Sequence, residues 1–162
     1  MENNNRRVVI TGMGIWSCLG TTLDEVKESL FNGKSGIIFS PERKEMGFES
    51  GLTASVKKPE LKGLVDRAHR VFMPEEAQYA YMSTVDALKM AKLDEDYIEK
   101  HDIGLLFGND SSADAVVKSV DTMREKKSTR LVGSGAIFQS MNSTVTMNLG
   151  CLFKLRGINM TV

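Results

Sequence analysis

Cysteine is scarce in this chain, and its scarcity narrows the classes of protein that the sequence can encode. The 162 residues include only two cysteines, Cys18 and Cys151, which lie far apart in no spacing typical of a metal site. A chain of this length buries roughly two-thirds of its unfolded surface, so neither a disulfide nor a metal is needed to hold it together. We predict that both cysteines are buried, small apolar residues in a reducing compartment.

Histidine is equally scarce, and the two present do not form a metal-binding pair. His69 and His101 are far apart in sequence, and His101 lies among charged residues at a predicted helix end. We expect both to be solvated, with no metal bound. No nucleophile-elbow pattern is present either. The sequence therefore shows no recognisable catalytic group and no cofactor motif.

Net charge and long apolar runs are also lacking. The chain has 21 basic residues (Lys and Arg) and 21 acidic residues (Asp and Glu), so its formal net charge is zero. This balance argues against a nucleic-acid partner and restricts any charged docking site to a local patch. No window approaches the roughly 20 apolar residues of a membrane span. The polar first residues lack the apolar core of a secretory leader. We expect a cytoplasmic protein.

What is present is a pattern of alternating strands and helices. Residues 8–11 predict a buried strand that runs into a glycine turn at Gly12 and Gly14. Thr22 and Glu25 form a capping-box signature that opens a helix ending near Gly33. The next stretch, to about residue 73, is irregular and carries only short elements.

The second half of the pattern is more regular. A helix opens at Pro74 with a stripe of small residues, which predicts close packing against another element. A strand follows at residues 103–108, then residues suited to helix capping at 109–112, a helix, and a charged loop at 124–130. One more helix is predicted, and a strand begins at Ile158. The residues expected on the buried face of that helix are Ile137, Phe138, Met141, Val145 and Leu149. The order β-α-(excursion)-α-β-α-α-β indicates an α/β fold.

The glycine turn has one functional alternative. Gly12-Met13-Gly14 is similar to the start of a dinucleotide-binding fingerprint, but Ser17 occupies the position that requires Gly or Ala. No acidic residue follows a second strand at the required distance. A structural strand-to-loop turn is therefore favoured.

The last residues read as an open strand. Gly157 is typical of a turn, and the residues after it open an apolar strand without a stop signal. We expect this chain to be the first half of a larger protein.

Several segments, taken in order, resemble the β-ketoacyl-[acyl-carrier-protein] synthases, most closely the synthase I/II type that elongates chains already on carrier protein. The segments are RVVITGMG at 7–14, SCLG at 17–20, NGKSGI at 32–37, GLVDR at 63–67, FM at 72–73, GLLFG at 104–108, MNS at 141–143, FKLRG at 153–157 and IN at 158–159. The resemblance covers nearly the whole chain.

The resemblance implies a thiolase-like fold of layered α-β-α-β-α organisation, with this chain forming most of the N-terminal half. Residues 1–162 would then be the synthase N-terminal domain, ending just before the nucleophilic cysteine. That cysteine takes the acyl group, and two histidines of the second half help decarboxylate malonate. Neither Cys18 nor Cys151 corresponds to the nucleophile, so this segment alone has no catalytic residue.

Two sets of non-catalytic residues are also implied. Ser111 corresponds to a position that lines the acyl channel, although relatives often carry Gly or Ile there and a glycine-rich stretch after it. Ile137, Phe138 and Met141 correspond to the place where the partner of a homodimer, or of a heterodimer with a related synthase, closes that channel. For these three residues an ordinary helix core is an equal alternative.

The second set is basic. Acyl carrier protein is acidic, so its docking face should be basic. Arg67, Lys127 and Arg130 correspond to positions on that face. Two neighbouring positions that are often basic in relatives carry Ala68 and Val71 here, and Arg70 would supply the missing charge. A solvated charge cluster is the alternative interpretation.

Two rival functions remain open. One is a non-catalytic partner subunit that resembles the chain-length factors, which keep the fold and replace the cysteine. The other is a polyketide or aryl-polyene ketosynthase with a different substrate class.

Overall fold

The computed structural model describes residues 7–110 and 113–162. In chain order the elements are α1 Leu23–Phe31, β1 Ile38–Phe39, α2 Pro41–Glu45, β2 Leu52–Thr53, α3 Arg67–Arg70, α4 Glu75–Ala91, α5 Glu95–Lys100, β3 Leu105–Phe107, α6 Ala113–Lys126, a 3₁₀ turn Thr129–Leu131, α7 Ala136–Gln139, α8 Thr144–Leu152 and β4 Asn159–Thr161. They fall into two compact units. One contains residues 7–57 and 83–93, and the other contains residues 58–82, 94–110 and 113–162.

In the first unit, α1 begins at the predicted capping box. The Thr22 hydroxyl accepts a hydrogen bond from the Glu25 backbone N–H at 3.2 Å, which satisfies one of the free donors at the helix start. The Ser29 hydroxyl, on the buried face of α1, donates to the Leu19 carbonyl at 2.9 Å. Strands β1 and β2 pair antiparallel, with Ile38 opposite Thr53. The first part of the irregular stretch is therefore a small hairpin with α2 between its strands.

The predicted strand at residues 8–11 does not form, and that prediction is wrong. Within the described part of the chain these residues have no strand partner, and Val8 and Ile10 are 93% and 84% exposed. A strand requires a neighbour to receive its backbone hydrogen bonds, and β-branched composition alone does not supply one.

In the second unit, α8 and the first half of α4 form the core. Ala77, Val145 and Leu149 are fully buried, and they cluster with Leu61, Val65, Met73 and Ala80. Two small residues on α4 let the neighbouring side chains approach its backbone closely, as the predicted stripe requires. Strands β3 and β4 pair in parallel, with Leu105 opposite Asn159 and Phe107 opposite Thr161.

Two predicted features of this unit need correction. The single helix predicted to follow Gly135 is divided into α7 and α8, with turn residues 140–143 between them. Ser140, Asn142 and Ser143 have side chains that favour caps and turns over helix interiors, which explains the break. The predicted loop at 124–130 is also shorter, because α6 continues to Lys126.

The cysteine prediction is also wrong in part. Cys18 is half-buried, but Cys151 is exposed, and both are free thiols. Cys151 lies on α8 outside the face that carries Val145 and Leu149 into the core. Among the described residues, no helix combines the length and the apolar character that crossing a membrane requires.

Candidate functional site

The candidate site is built around the end of the parallel strand pair. The Val162 N–H donates to the Phe107 carbonyl at 3.1 Å, and the Asn109 N–H donates to the Val162 carbonyl at 3.2 Å. The ladder therefore continues beyond the assigned strands. In α/β folds, ligands bind at the carboxyl ends of parallel strands, and β3 has its carboxyl end here, at Phe107.

Two side-chain hydrogen bonds attach the neighbouring helical segments to this end. The Thr146 and Thr161 hydroxyls lie 2.7 Å apart and join α8 to β4. The Asn109 side-chain amide donates to the Asn142 carbonyl at 2.9 Å and joins the end of β3 to the turn between α7 and α8. The prediction assigned Asn109 to helix capping, and no sequence signal revealed its contact 33 residues away.

The predicted acyl-channel residues that the structure describes are exposed. Ile137, Phe138 and Met141 are 67%, 40% and 43% exposed, so the prediction that they lie inside a helix core is wrong for the described residues. Val145 and Leu149, predicted for the same face, are fully buried. Turn residues 140–143 separate α7 from α8, so no single helical period runs through all five positions. Ser111, the fourth predicted channel residue, lies outside the described residues.

The segment that carries these three residues is fixed by contacts on its other side. The Phe138 ring packs edge-on against Phe72, with ring centroids 5.2 Å apart and planes at 89°. The Gln139 side-chain amide donates to the Val71 carbonyl at 2.7 Å. A Cβ at Gly135 would lie 2.5 Å from the same carbonyl, so glycine is required there for close approach. The exposed apolar side chains are thus held on a defined backbone.

The four predicted docking residues, which we call the docking set, are Arg67, Arg70, Lys127 and Arg130. Arg67 and Arg70 lie on α3. Lys127 directly follows α6, and Arg130 lies in the 3₁₀ turn. These segments adjoin a shared cavity of ≈220 Å³, whose lining includes Val71 after α3 and Leu131 at the end of the 3₁₀ turn. The structure therefore brings the residues that directly follow Arg70 and Arg130 together at one cavity.

The docking set differs from the basic residues of α6 in its ion pairs. Among residues 7–110 and 113–162, none of its four side chains forms an ion pair, whereas Lys118, Arg124 and Lys126 pair with acidic residues of α6. The Lys118 Nζ donates a hydrogen bond to the Asp114 Oδ2 at 2.6 Å, and this bond raises the pKa of Lys118. Arg67, Lys127 and Arg130 are exposed and Arg70 is half-buried.

Helix α3 is also capped in a way that orients its basic residues. The Asp66 carboxylate accepts hydrogen bonds from the His69 backbone N–H at 2.9 Å and from the His69 ring Nδ1 at 2.6 Å. Both hydrogen bonds lower the pKa of Asp66, and the bond from the His69 backbone N–H has the larger effect. A carboxylate at the helix start therefore stays ionised and fixes the first turn.

Both histidines are solvent-exposed, as predicted. His69 is held by Asp66, and the His101 ring stacks on Tyr97 with centroids 3.9 Å apart. Within the part of the chain that the structure describes, no three His, Cys, Asp or Glu side chains are placed to hold a metal ion.

Comparison with known proteins defines the class. Residues 5–162 match the family model described as "Beta-ketoacyl synthase, N-terminal domain". The 3-oxoacyl-[acyl-carrier-protein] synthase 1 of Haemophilus influenzae is 36% identical over 155 residues, which cover 95% of this chain and 38% of that protein. The corresponding synthase 1 of Escherichia coli K12 is 35% identical over 159 residues, covering 97% of this chain and 39% of that protein.

Solved structures agree with the sequence match. A crystal structure of a beta-ketoacyl synthase from Burkholderia phymatum STM815 superimposes with a TM-score of 0.79 at 28% identity, covering 96% of this chain and 38% of that chain. The ishigamide ketosynthase/chain length factor gives a TM-score of 0.84 at 19% identity, covering 97% and 40%, and supports the fold alone.

This chain belongs to the β-ketoacyl synthase family and has the fold of its N-terminal domain, which confirms the thiolase-like fold prediction. It spans 38–39% of the length of the two curated relatives described above.

Proposed function

We propose that this chain is the N-terminal part of a 3-oxoacyl-[acyl-carrier-protein] synthase of fatty acid biosynthesis. The observation that carries the proposal is the match of residues 5–162 to the synthase domain, together with relatives named synthase 1 at 36% and 35% identity. The parallel pairing of β4 with β3 supports it, because the residues after β4 then emerge at the functional edge of the pair.

The nucleophile of the proposed reaction is a cysteine that follows β4 in the full-length protein. Its thiolate attacks the carbonyl carbon of an acyl thioester, forms a new thioester bond and expels the carrier thiol. A helix N-terminus beside this cysteine would lower its pKa and favour the thiolate. Malonyl-carrier protein then loses CO₂, assisted by a histidine pair in the remainder of the protein. The resulting carbanion attacks the enzyme-bound acyl carbon and releases the cysteine thiolate, and no cofactor is needed.

The acyl chain occupies a channel lined by Ser111, Ile137, Phe138 and Met141. The exposure of Ile137, Phe138 and Met141 supports this role over the helix-core alternative, because apolar side chains on a fixed backbone are available to another surface. In the proposed assembly that surface belongs to the acyl chain and to the second subunit of a cytoplasmic homodimer.

The docking set receives the acidic acyl carrier protein. Its support is that the residues directly following Arg70 and Arg130 line one cavity, and that the four basic side chains form no ion pair among the described residues. Opposite charges across an interface steer encounter and fix orientation more than they add affinity.

The proposed function is tested by a condensation assay on the full-length protein with acyl- and malonyl-carrier protein. We expect release of CO₂ together with a 3-oxoacyl product, and loss of both when the cysteine after β4 is replaced by serine. Cys18→Ser and Cys151→Ser serve as controls and should retain activity. Condensation that is absent with every acyl chain, or that survives loss of that cysteine, would contradict the proposal. In the former case a chain-length-factor role would be favoured.

A further inference from the structure

Asn109 contacts two segments that the proposed function uses for different purposes. Its backbone N–H donates to the Val162 carbonyl at 3.2 Å, at the end of the strand that leads to the nucleophile. Its side-chain amide donates to the Asn142 carbonyl at 2.9 Å, one residue after Met141 of the proposed channel. One residue therefore connects the reacting end of β4 to the channel wall.

The C-terminal end of the turn between α7 and α8 is tied to β4 through the Thr146 hydroxyl, which donates to the Ser143 carbonyl at 3.0 Å and lies 2.7 Å from the Thr161 hydroxyl. The Asn109 hydrogen bond holds the turn one residue closer to Met141. Helix α7 is four residues long, and the side chain of its last residue, Gln139, donates to the Val71 carbonyl. The Asn142 carbonyl lies in the turn, just before α8 begins at Thr144. The Asn109 side chain, two residues after β3, therefore holds this carbonyl and fixes the backbone position of Met141 relative to Val162.

We infer that Asn109 is a positioning residue that sets acyl-chain selectivity by fixing the Met141 turn against the strand that precedes the nucleophile. The inference rests on the proposed function. The side chain of Asn109 does not itself line the channel in this account. It acts through Met141, whose distance from the acyl-carrying atom determines how long a chain fits.

Loss of this hydrogen bond should have a local effect. Helix α8 remains attached to β4 through the Thr146–Thr161 hydroxyl pair, and its buried face remains in the core at Val145 and Leu149. The backbone hydrogen bond from Asn109 to Val162 is also independent of the side chain. A variant at position 109 should therefore fold and keep the strand pair while the turn loosens.

The test compares Asn109→Asp with wild type in the full-length protein across a series of acyl-carrier-protein chain lengths. Aspartate keeps the shape of asparagine but replaces the donating NH₂ with an oxygen, so it cannot donate to the Asn142 carbonyl. We expect the kcat/KM ratio between the best substrate and one two carbons longer to fall about fivefold, the effect of losing one ordinary hydrogen bond. Asn142→Ala is the matched control, because it keeps the backbone carbonyl, and its ratio should remain that of wild type.

A uniform loss of kcat/KM at all chain lengths, an unchanged ratio, or an equal change in Asn142→Ala would overturn the inference. The methyl NMR signal of Met141, assigned with Met141→Leu, gives a second readout. It should shift or broaden in Asn109→Asp and stay in place in Asn142→Ala. If wild type fails to condense any substrate, the proposed function and the selectivity role fail together. The methyl signal of Met141 then tests separately whether Asn109 fixes the turn. If that signal does not move in Asn109→Asp, the positioning role of Asn109 is overturned as well.

Discussion

Single residues determine how closely segments approach one another in the first unit. A Cβ at Gly12 would lie 2.9 Å from the Ala91 backbone nitrogen and closer still to the Ala87 carbonyl oxygen, and a Cβ at Gly14 would overlap the Ser83 carbonyl. Residues 12–14 thus lie directly against the second half of α4. Packing accounts for both glycines, in agreement with the structural interpretation of the Gly-Met-Gly turn rather than the dinucleotide one.

The first prediction at this scale concerns Gly14→Ala. The added methyl group has no space because helix backbone occupies it, so we expect a loss of at least about 2 kcal/mol in the free energy of unfolding of this unit. Trp16, the single tryptophan of the 162 residues, lies in the same unit and reports its unfolding by fluorescence. Gly133→Ala, in the second unit, is the control for a methyl group added in open space, since nothing lies within 4 Å of its Cβ position, and far-UV circular dichroism follows the unfolding of both variants. Its stability should stay within about 0.5 kcal/mol of wild type, and equal losses in both variants would contradict the packing argument.

The second residue-scale prediction concerns the docking set. Arg130→Glu replaces an exposed cation, which forms no ion pair among the described residues, with an anion, so we expect about a tenfold increase in KM for malonyl-carrier protein with little change in kcat. The increase should shrink at high salt because exposed charges are screened. Arg124→Glu is the control, since Arg124 already lies 3.7 Å from Asp121 within α6. An equal KM increase in the control would show that net charge, rather than the docking set, is responsible.

At the scale of the element, the capping box of α1 is formed slightly differently from its sequence signature. The Glu25 carboxylate accepts a hydrogen bond from the Thr21 N–H at 2.7 Å and from the Thr21 hydroxyl at 3.2 Å. Both hydrogen bonds lower the pKa of Glu25 below its ordinary value of 4.5, and the bond from the Thr21 backbone N–H has the larger effect. The ionised carboxylate therefore stabilises the start of α1 through the residue before the cap.

This arrangement predicts the sign of a pH effect. Because the pKa of Glu25 is lower in the folded state, its stabilising contribution is complete above the unfolded value near 4.5 and is lost as the pH falls through the folded value. Carboxyl ¹³C NMR should give a Glu25 pKa below 4.5, and Glu25→Gln should remove this component of acid destabilisation. Thr21→Val retains the backbone bond and should keep most of the pKa shift. A measured Glu25 pKa at or above 4.5 would contradict the assignment.

The elements predicted correctly from sequence are those specified by local signals. Thr22 and Glu25 mark the start of α1, Pro74 lies just before α4, and residues 103–108 contain β3. The features that sequence reasoning missed depend on distant partners. Residues 8–11 have strand composition without a strand neighbour among the described residues, and the Asn109 side chain contacts the turn before α8 across 33 residues of sequence. Non-local pairing leaves no periodic signal in a single sequence.

The same limit applies to the candidate site. The resemblance named Ile137, Phe138 and Met141, but the choice between helix core and channel required their exposure. The docking set was identified as four separate basic residues, and only the structure relates α3 to the 3₁₀ turn. Ser111 stays a prediction, since it lies outside the described residues.

At the scale of the whole molecule, apolar side chains around the parallel strand pair remain uncovered. Leu106 is 67% exposed, Ile158 76% and Met160 52%. The chain spans 38–39% of the two synthase 1 relatives, so most of a full-length synthase lies outside it. We expect that remainder to cover these side chains and to supply the histidine pair.

The central claim is that the acyl group is carried just after β4. The most direct measurement incubates the full-length protein with acyl-carrier protein in the absence of malonyl donor, digests it with trypsin and locates the acyl mass by mass spectrometry. Trypsin cleaves after Arg156, so the predicted product is an acylated peptide that begins at Gly157 and extends past Val162. An acyl group on the peptides of Cys18 or Cys151, residues 8–27 and 131–154, or no acylated peptide at all, would contradict the account.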